Sequence, residues 1–343
     1  MNNIKIIAEM AWSHDGSISK AIKIMKSAKE AGANYIGIHV TDMKSYMSIY
    51  YKSGPGKVSE EKESLNIYNY LNKINPSQNN WIKFKKVADK IKIKLCVMPN
   101  DIESFNFSKK ILKPDMFALS AASFNEEKMI DKISKQKKDT VIRIGGATIK
   151  EIKNVLQIFK KNKNNKFILL HGIQVYPTSS KDVNLRQLVT LKKMFKCKLG
   201  IADHIDGSDD FSIFLPSLAL PYGIEAIEKH ITLDRKEKSE DFESALDPIN
   251  FKKMVNTIKL SLQSMGKNKF EKLSIAERKY RQVSRKRSVG KQNIQKGEII
   301  SEKNVTFKRS DLGIDPLKIK EFFGKKSKKY IYKDCPIIEN NLL

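Results

Sequence analysis

The sequence is poor in the residues that mark secreted, redox-active or membrane proteins. Its 343 residues include three cysteines, Cys96, Cys197 and Cys335, which are far apart and odd in number. That pattern fits reduced thiols better than a disulfide framework or a cysteine metal site. No run of 18 apolar residues occurs, so we expect no transmembrane helix. The first ten residues, MNNIKIIAEM, lack the basic and apolar regions of a signal peptide. We therefore expect a cytoplasmic protein that makes no membrane contact.

Arginine is also scarce, although the formal net charge is +27. Only eight of the 65 basic residues are arginine, and the lysines are spread over every segment. Specific nucleic-acid binders concentrate charge on one face and use arginine at phosphates and base edges. We therefore expect a solvated surface that speeds the arrival of an anionic substrate, and no nucleic-acid partner.

Apolar runs that alternate with helical patterns fill the chain up to residue 267. The runs are continuous rather than alternating, as in parallel strands with both faces buried. Eight such units have the size of a (β/α)8 barrel, and no Gly-x-Gly-x-x-Gly follows the first run. The sequence therefore predicts an α/β fold, a TIM barrel over 1–267. The predicted strands cover 4–10, 35–40, 94–99, 115–121, 140–146, 167–172, 198–204 and 226–231.

Two segments depart from this repeat. Residues 42–80 are polar and tyrosine-rich without clear periodicity, which predicts a lid or substrate loop. Residues 268–288 are highly charged and predict a linker helix. From 289 to 343 the chain shows short strands and the turn QKGE, which predicts a small β-rich domain.

Histidine is rare, and three of the five histidines follow predicted strands: His171, His204 and His230. Active sites of such barrels form at the carboxyl ends of the strands, so this spacing predicts a metal or proton-transfer site. His204 and His230 come from adjacent strands and are the better metal ligands, since neutral imidazole suits divalent transition ions. Asp203 is a candidate for orienting an imidazole.

Other polar residues accompany the predicted strand ends, and a purely structural barrel would not need so many. They are Glu9, His14, His39, Asn100, Asp101, Ser120, Ser123, Arg143, Gln174, Tyr176 and Glu228.

Five motifs carry a family resemblance: IIAEMAWSHDGS, LLHGIQVYPT, GIADH, EKHITLD and the terminal VGKQNIQKGEII…NVTFKR. Together they resemble the N-acetylneuraminate (sialic acid) synthase family over nearly the whole chain. The carboxyl-terminal part resembles the antifreeze-like, or SAF, module, a β-clip domain. The resemblance implies condensation of phosphoenolpyruvate with an N-acylated hexosamine to give a nonulosonic acid. It also implies a divalent ion, Mn²⁺ before Mg²⁺ or Co²⁺, and a homodimer that swaps its SAF domains over the barrel mouths.

The resemblance extends to individual residues. It implies that His204 and His230 hold the metal and that Glu9 lies near the reacting carbons. His39 stands where the family usually has glutamine, and is either a new catalytic base or packing. The implied sugar-side residues are Gln174 (usually asparagine), Tyr176, Asp241 and Arg309, the SAF arginine that holds the N-acyl group. His171 is left as a positioning residue beside Gln174 and Tyr176.

The departures from the family fall on the phosphoenolpyruvate side. Gly37 and Ala118 replace lysines, Val97-Met98-Pro99 replaces Ser-Thr-Pro, and Arg143 replaces a serine. These changes remove most of the charge-assisted contacts that a trianion needs. Arg143 is expected to give back one bidentate anion site, and it joins Glu9 and His39 as a candidate catalytic residue.

Three hypotheses follow from this split. In the first, the family reaction persists and Arg143 with lysines of 42–80 rebuilds the anion site. In the second, a metal-dependent aldolase or lyase uses another donor, such as a 2-oxo acid. In the third, a non-catalytic sugar binder has kept the fold.

Overall fold

Two compact units, Met1–Gly266 and Lys267–Leu343, make up the chain. The computed structural model describes residues 4–51, 66–266 and 272–343. Eight parallel strands of the first unit close into a barrel, with β8 paired to β1. The predicted fold is confirmed. The strands are β1 Lys5–Glu9, β2 Tyr35–Val40, β3 Lys94–Pro99, β4 Met116–Ser120, β5 Asp139–Arg143, β6 Phe167–His171, β7 Lys198–Asp203 and β8 Ala226–His230.

Helices follow the strands. Residues whose side chain or backbone conformation favours a helix end mark where they begin and stop. Ser17 accepts a hydrogen bond from the Lys20 amide at the start of the first helix, and Gly32 ends that helix with φ 98°, where glycine carries no steric penalty. The helices of this unit are α1 Ile18–Ala31, α2 Met43–Tyr46, α3 Ile67–Ile74, α4 Gln78–Ile91, α5 Ile102–Phe107, α6 Glu127–Ser134, α7 Ile149–Lys161, α8 Gln187–Phe195, α9 Phe211–Leu218 and α10 Pro248–Met265.

The segment 42–80 is not the continuous loop that the sequence predicted. It contains α2, α3 and the start of α4, and each begins at a side chain that caps it: Asp42, Asn66 and Ser77. Helices of four and eight residues are too short to show a clear 3.6-residue period. The part from 52 to 65 lies outside the described residues.

The barrel interior is filled in layers because successive side chains of a strand point to opposite faces. An apolar layer contains Ile7, Tyr35, Cys96, Val141 and Ala226. Two residues further along these strands, three of the inward positions are ionisable, Glu9, Arg143 and Glu228, and the other two are Gly37 and Met98. This layer is the floor of the candidate site.

The second unit is small and has its own apolar core. It contains α11 Ile275–Ser284 and the antiparallel strands β9 Lys286–Gly290 and β10 Val305–Arg309. The predicted linker, 268–288, thus contains α11 and the start of β9. Isoleucines dominate the core of this unit: Ile294, Ile300, Ile314, Ile319, Ile331 and Ile337.

Membrane crossing would need a longer and more apolar helix than any found in 4–51, 66–266 and 272–343.

Candidate active site

Arg143 lies at the floor of the site between two carboxylates. Its Nη2 forms an ion pair with Glu9 and donates to Oε2 of Glu228 at 3.0 Å, while its Nε is 2.8 Å from Oε1 of Glu228. Nη1 donates to Sδ of Met98 at 3.0 Å and lies 3.4 Å from Nε2 of His39. The guanidinium therefore has a protein neighbour at every nitrogen. This differs from the expected free anion site.

The two carboxylates beside Arg143 differ in pKa. Burial is the largest influence on Glu9 and acts to raise its pKa, but the charges of Arg143 and His39 and the hydrogen bonds from Ala11 and Arg143 together outweigh it, so the pKa lies below its ordinary value. Burial raises the pKa of Glu228 to about 7, against the pull of Arg143. Glu9 is therefore the ionised member of the pair, also held by the Ala11 amide at 2.8 Å from its Oε1.

His39 lies on the same inward face as Gly37 and contacts the ion cluster. Its Nε2 is 3.6 Å from Oε1 of Glu9, and the Trp12 ring meets its ring edge-on with the centroids 5.2 Å apart. Burial lowers the pKa of His39 to about 4 despite the neighbouring Glu9, so the imidazole is neutral near pH 7. A neutral imidazole can accept a proton from a bound ligand.

His204 and His230 face each other at the rim, with ring centroids 5.3 Å apart. Tyr176 packs against both, at 4.6 Å from His204 and 5.6 Å from His230. Nδ1 of His204 lies 2.7 Å from the Ile173 carbonyl. That contact places the proton on Nδ1 and leaves Nε2 as a lone-pair donor.

The two imidazoles fit a divalent ion. Burial lowers the pKa of His204 to about 4 and that of His230 well below its ordinary value, so both rings are neutral, the form that binds metal. Nδ1 of His230 is buried without a hydrogen-bond partner and lies 3.9 Å from Oδ2 of Asp241. Within the described ranges no cluster of three or more His, Cys, Asp or Glu side chains suits a metal. A metal here would therefore keep positions open for substrate and water.

A cavity of about 480 Å³ is lined by the floor residues Met98 and Arg143 and by Tyr176, which packs against the histidine pair. Among the predicted residues, His39, Arg143, Gln174, Tyr176 and Asp241 line it. The Tyr176 hydroxyl donates to Oε1 of Gln174 at 2.6 Å, which fixes both side chains on one wall. The structure thus brings the predicted sugar-side residues of the barrel and two candidate catalytic residues, His39 and Arg143, into one space of the size that small-molecule sites have.

His171 does not share the face of the other two histidines. It occupies an outward position of β6, and its Nε2 lies 2.8 Å from the Val183 carbonyl. The expectation of three equivalent strand-end histidines fails because His171 lies one residue beyond the inward-facing Leu170, whereas His204 and His230 lie two residues beyond the inward-facing Ala202 and Glu228. That step of one reverses the side-chain direction.

Asp203 does not orient an imidazole, contrary to the sequence prediction. Its Oδ2 accepts from Nζ of Lys229 at 2.8 Å, and both side chains are buried on the outward face of the barrel. The Ile173 carbonyl takes the role expected of Asp203.

Arg309 lies exposed at the end of β10 in the second unit. Its contact with an N-acyl group stays a prediction.

Glu228, named from the sequence among the polar strand-end residues but given no role, completes the floor. Its inward position agrees with alternation along β8, since it lies two residues before His230. Trp12, which was not among the predicted site residues, lines the cavity beside His39. No comparable signal marks Trp12, which sits after β1 in a turn.

A barrel with a polar floor, a histidine pair and a sugar-sized cavity at its carboxyl rim defines a small-molecule enzyme of the (β/α)8 class. The family model described as the NeuB family matches residues 24–270, and the SAF domain model matches residues 289–343. The chain belongs to the NeuB family and carries a SAF domain.

Individual relatives agree with this membership. The chain is 32% identical to a pseudaminic acid synthase of Campylobacter jejuni, covering 95% of this chain and 93% of that one. It is 30% identical to an N,N'-diacetyllegionaminic acid synthase of the same species, over 98% and 99%. A crystal structure of an N-acetylneuraminic acid synthetase from Leptospira borgpetersenii matches with a TM-score of 0.69 and 26% identity, covering 82% and 92%.

Proposed function

We propose that the chain is a synthase of the N-acetylneuraminate synthase type. It joins a three-carbon donor to the aldehyde carbon of an open-chain N-acylated hexosamine and so forms a nonulosonic acid. The observation that carries this proposal is that Tyr176 and Asp241, which line the cavity of a NeuB-family barrel, also lie against the histidine pair, His204 and His230. The names of the relatives support the same reaction class.

The sugar binds, in this proposal, along the wall formed by Gln174, Tyr176 and Asp241. A carboxylate accepts hydrogen bonds from sugar hydroxyls, and the Tyr176–Gln174 pair offers further polar atoms. The loop that carries Asp241 is held in place, since the hydroxyl of Ser13 donates to the Glu240 carbonyl at 3.0 Å. Pre-organisation of this kind lowers the entropy cost of binding.

His204 and His230 would hold the divalent ion, for which Mn²⁺ is our first choice and Mg²⁺ or Co²⁺ are alternatives. When bound, the ion supplies Lewis-acid polarisation of a carbonyl oxygen. The protein's own contribution is to keep both imidazoles neutral and, through the Ile173 carbonyl, to fix the tautomer of His204. Glu9 is fixed as a carboxylate by Arg143 and the Ala11 amide, next to the space that the donor must occupy.

We also propose a homodimer in which the SAF domain of one subunit covers the barrel of the other. The exposed position of Arg309 agrees with a role in a neighbouring subunit's site. α11 also leaves Ile275, Tyr280 and Val283 exposed. Light scattering on the full chain tests this, and a monomer at micromolar concentration would contradict it.

The reaction is tested by incubating the full chain with Mn²⁺, a panel of N-acylated hexosamines, and phosphoenolpyruvate or pyruvate. The expected product is a nine-carbon 2-oxo acid, detected by mass spectrometry. A negative result counts against the proposal only if the protein sample binds Mn²⁺ and unfolds cooperatively. Absence of such a product with every sugar and both donors, from folded and metal-loaded protein, refutes the proposal.

A second candidate, an aldolase or lyase that uses an unphosphorylated donor, is favoured by one observation. Arg143 is occupied by two carboxylates and offers no fork to a phosphate.

A further inference from the structure

The cation at the cavity floor is already neutralised. Two carboxylates face the single guanidinium of Arg143, and the side chains of Arg143, Glu9 and Glu228 are 8%, 1% and 1% exposed. Met98 and His39 occupy its remaining nitrogen. Recognition of a phosphate by arginine uses two parallel N–H groups, and here Nη2, which both edges of the fork share, is bound to Glu9 and Glu228.

Gly37 provides the space for this arrangement. It is the register partner of Glu9 across the β1–β2 pair. A Cβ at position 37 would lie 2.9 Å from Cδ of Glu9, and closer still to Oε2, the oxygen that pairs with Arg143. Any larger residue at 37 would therefore displace the Glu9 carboxylate from the guanidinium. Gly37 and Arg143 are therefore coupled. The absence of a side chain at position 37 on β2 leaves the space in which the Glu9 carboxylate pairs with Arg143 of β5.

The charges around the cavity add to the same effect. Glu240 and Asp241 line the cavity, and Glu9 and Glu228 lie at its floor. Lys229 is not available to the cavity, because it is paired with Asp203 on the outward face. Among the described residues that line the cavity, Arg143 is the one cation, and the ionised Glu9 already offsets its charge. A dianionic phosphate with its added carboxylate needs more positive charge than such a floor supplies, whereas a single carboxylate needs less.

We infer that the Gly37–Arg143 pair selects a three-carbon 2-oxo acid, of which pyruvate is the simplest, over its phosphoenol ester. This inference rests on the proposed function and names the donor class for it. A divalent ion on His204 and His230 would add two positive charges, which suffice for one carboxylate above a floor that has no surplus cation.

The bond changes balance without phosphate. The C3–H bond of the 2-oxo acid breaks, and C3 bonds to the aldehyde carbon of the sugar. The aldehyde oxygen receives a proton, so no water is consumed and nothing leaves. We assign the proton transfer to His39, which lines the cavity and whose buried Nδ1 makes no hydrogen bond. With the phosphoenol ester, water would add at C2 and inorganic phosphate would depart.

Calorimetric titration of the Mn²⁺-loaded full chain tests the donor class without any sugar present. We expect pyruvate to bind at least about tenfold more tightly than phosphoenolpyruvate, a difference of about 1.4 kcal/mol. Equal or tighter binding of phosphoenolpyruvate overturns the inference, as does stoichiometric release of phosphate when a sugar is added.

The double variant Gly37→Lys/Arg143→Ser should reverse this preference, because it moves the cation from β5 to β2 and frees it for a ligand. Arg143→Ser alone leaves Glu9 and Glu228 without a counter-ion and should lower the affinity for both donors. Arg186→Ser, at an exposed arginine of the same unit, is the matched control and should keep the wild-type preference. If a folded double variant still binds pyruvate more tightly than phosphoenolpyruvate, the role of the Gly37–Arg143 pair is contradicted. If the double variant fails to fold, the order of affinities in the wild type decides.

The binding experiment separates this inference from the proposed reaction. Preferential binding of pyruvate without any nine-carbon product would leave the donor class standing and refute the condensation. A nine-carbon product formed with phosphoenolpyruvate but not with pyruvate would support the condensation and refute the donor class.

Discussion

The guanidinium of Arg235 joins the loops that follow the two histidine strands. Its Nη2 donates to Oδ1 of Asp206, after β7, at 3.0 Å. Its Nη1 donates to the carbonyls of Phe242 and Ala245 at 2.6 Å, after β8. Gly207 allows this close approach, since a Cβ there would lie 2.8 Å from the carbonyl carbon of Ala245. One planar side chain thus fixes the loop that presents Asp241 to the cavity.

Arg235→Lys should therefore impair sugar binding more than metal binding. An ammonium cannot reproduce the planar fork, so several backbone carbonyls lose their donor. We expect the free energy of unfolding to fall by about 1–3 kcal/mol, the cost of unsatisfied groups, and the KM for the sugar to rise. Urea unfolding measures the loss of stability, and steady-state kinetics measure the rise in KM. The Mn²⁺ affinity should stay within about twofold of wild type.

Arg186→Lys is the control for this prediction, since Arg186 is exposed. It should change stability by less than about 0.5 kcal/mol. An Arg235→Lys protein with unchanged sugar KM would show that the clamp does not position Asp241.

Removal of either rim histidine should abolish tight metal binding. His204→Ala and His230→Ala each leave a single imidazole, and one neutral ligand is too few to hold a divalent ion at a protein site. Calorimetry with Mn²⁺ measures the loss, which we expect to exceed a hundredfold. His171→Ala is the matched control, because His171 points outward and bonds to the Val183 carbonyl. Unchanged Mn²⁺ affinity in either rim variant would disprove the ligand assignment.

Removing one partner of the buried Lys229–Asp203 ion pair should cost more stability than removing both partners. Lys229→Met leaves the Asp203 carboxylate buried without its cation, which costs about 3–5 kcal/mol. In Asp203→Leu/Lys229→Met both charges are gone, and we expect most of that loss to be recovered. Thermal or urea unfolding of the single and double variants forms the cycle. Equal destabilisation by the two would mean that the pair acts through packing instead of charge.

Acid should destabilise the fold in part through His14. Burial lowers the pKa of His14 to about 4, against an ordinary value near 6.5. The unfolded chain therefore takes up a proton before the folded chain does. Its contribution to stability is present above pH 6.5 and is lost as the pH falls from 6.5 towards 4.

His14→Gln removes that contribution to the pH dependence. The slope of unfolding free energy against pH between 6.5 and 5 should decrease by up to about 1.4 kcal/mol per pH unit. Urea unfolding of both proteins at several pH values gives the difference, in which the other titrating groups cancel. Identical slopes would mean that His14 has the same pKa in the folded and the unfolded chain.

The barrel could be predicted from the sequence because its strands are continuous apolar runs with parallel-sheet character, such as FILLH and KLCVMP. The site was harder, because its chemistry depends on contacts between strands distant along the chain. Arg143 illustrates this: its position at a strand end was readable, whereas its two partners, Glu9 and Glu228, lie 134 and 85 residues away. His171 shows the complementary limit, since a shift of one residue at a strand end reverses the face of a side chain.

The proposed reaction is tested most directly by detecting the new carbon–carbon bond between the donor and the sugar. The Mn²⁺-loaded chain would be given an N-acylated hexosamine labelled with ¹³C at C1 together with pyruvate labelled with ¹³C at C3. Carbon NMR of the mixture should then show a new pair of resonances split by one-bond ¹³C–¹³C coupling, absent with His230→Ala. Labels that remain uncoupled, in a folded and metal-loaded sample, with pyruvate and with equally labelled phosphoenolpyruvate, would contradict the proposed reaction.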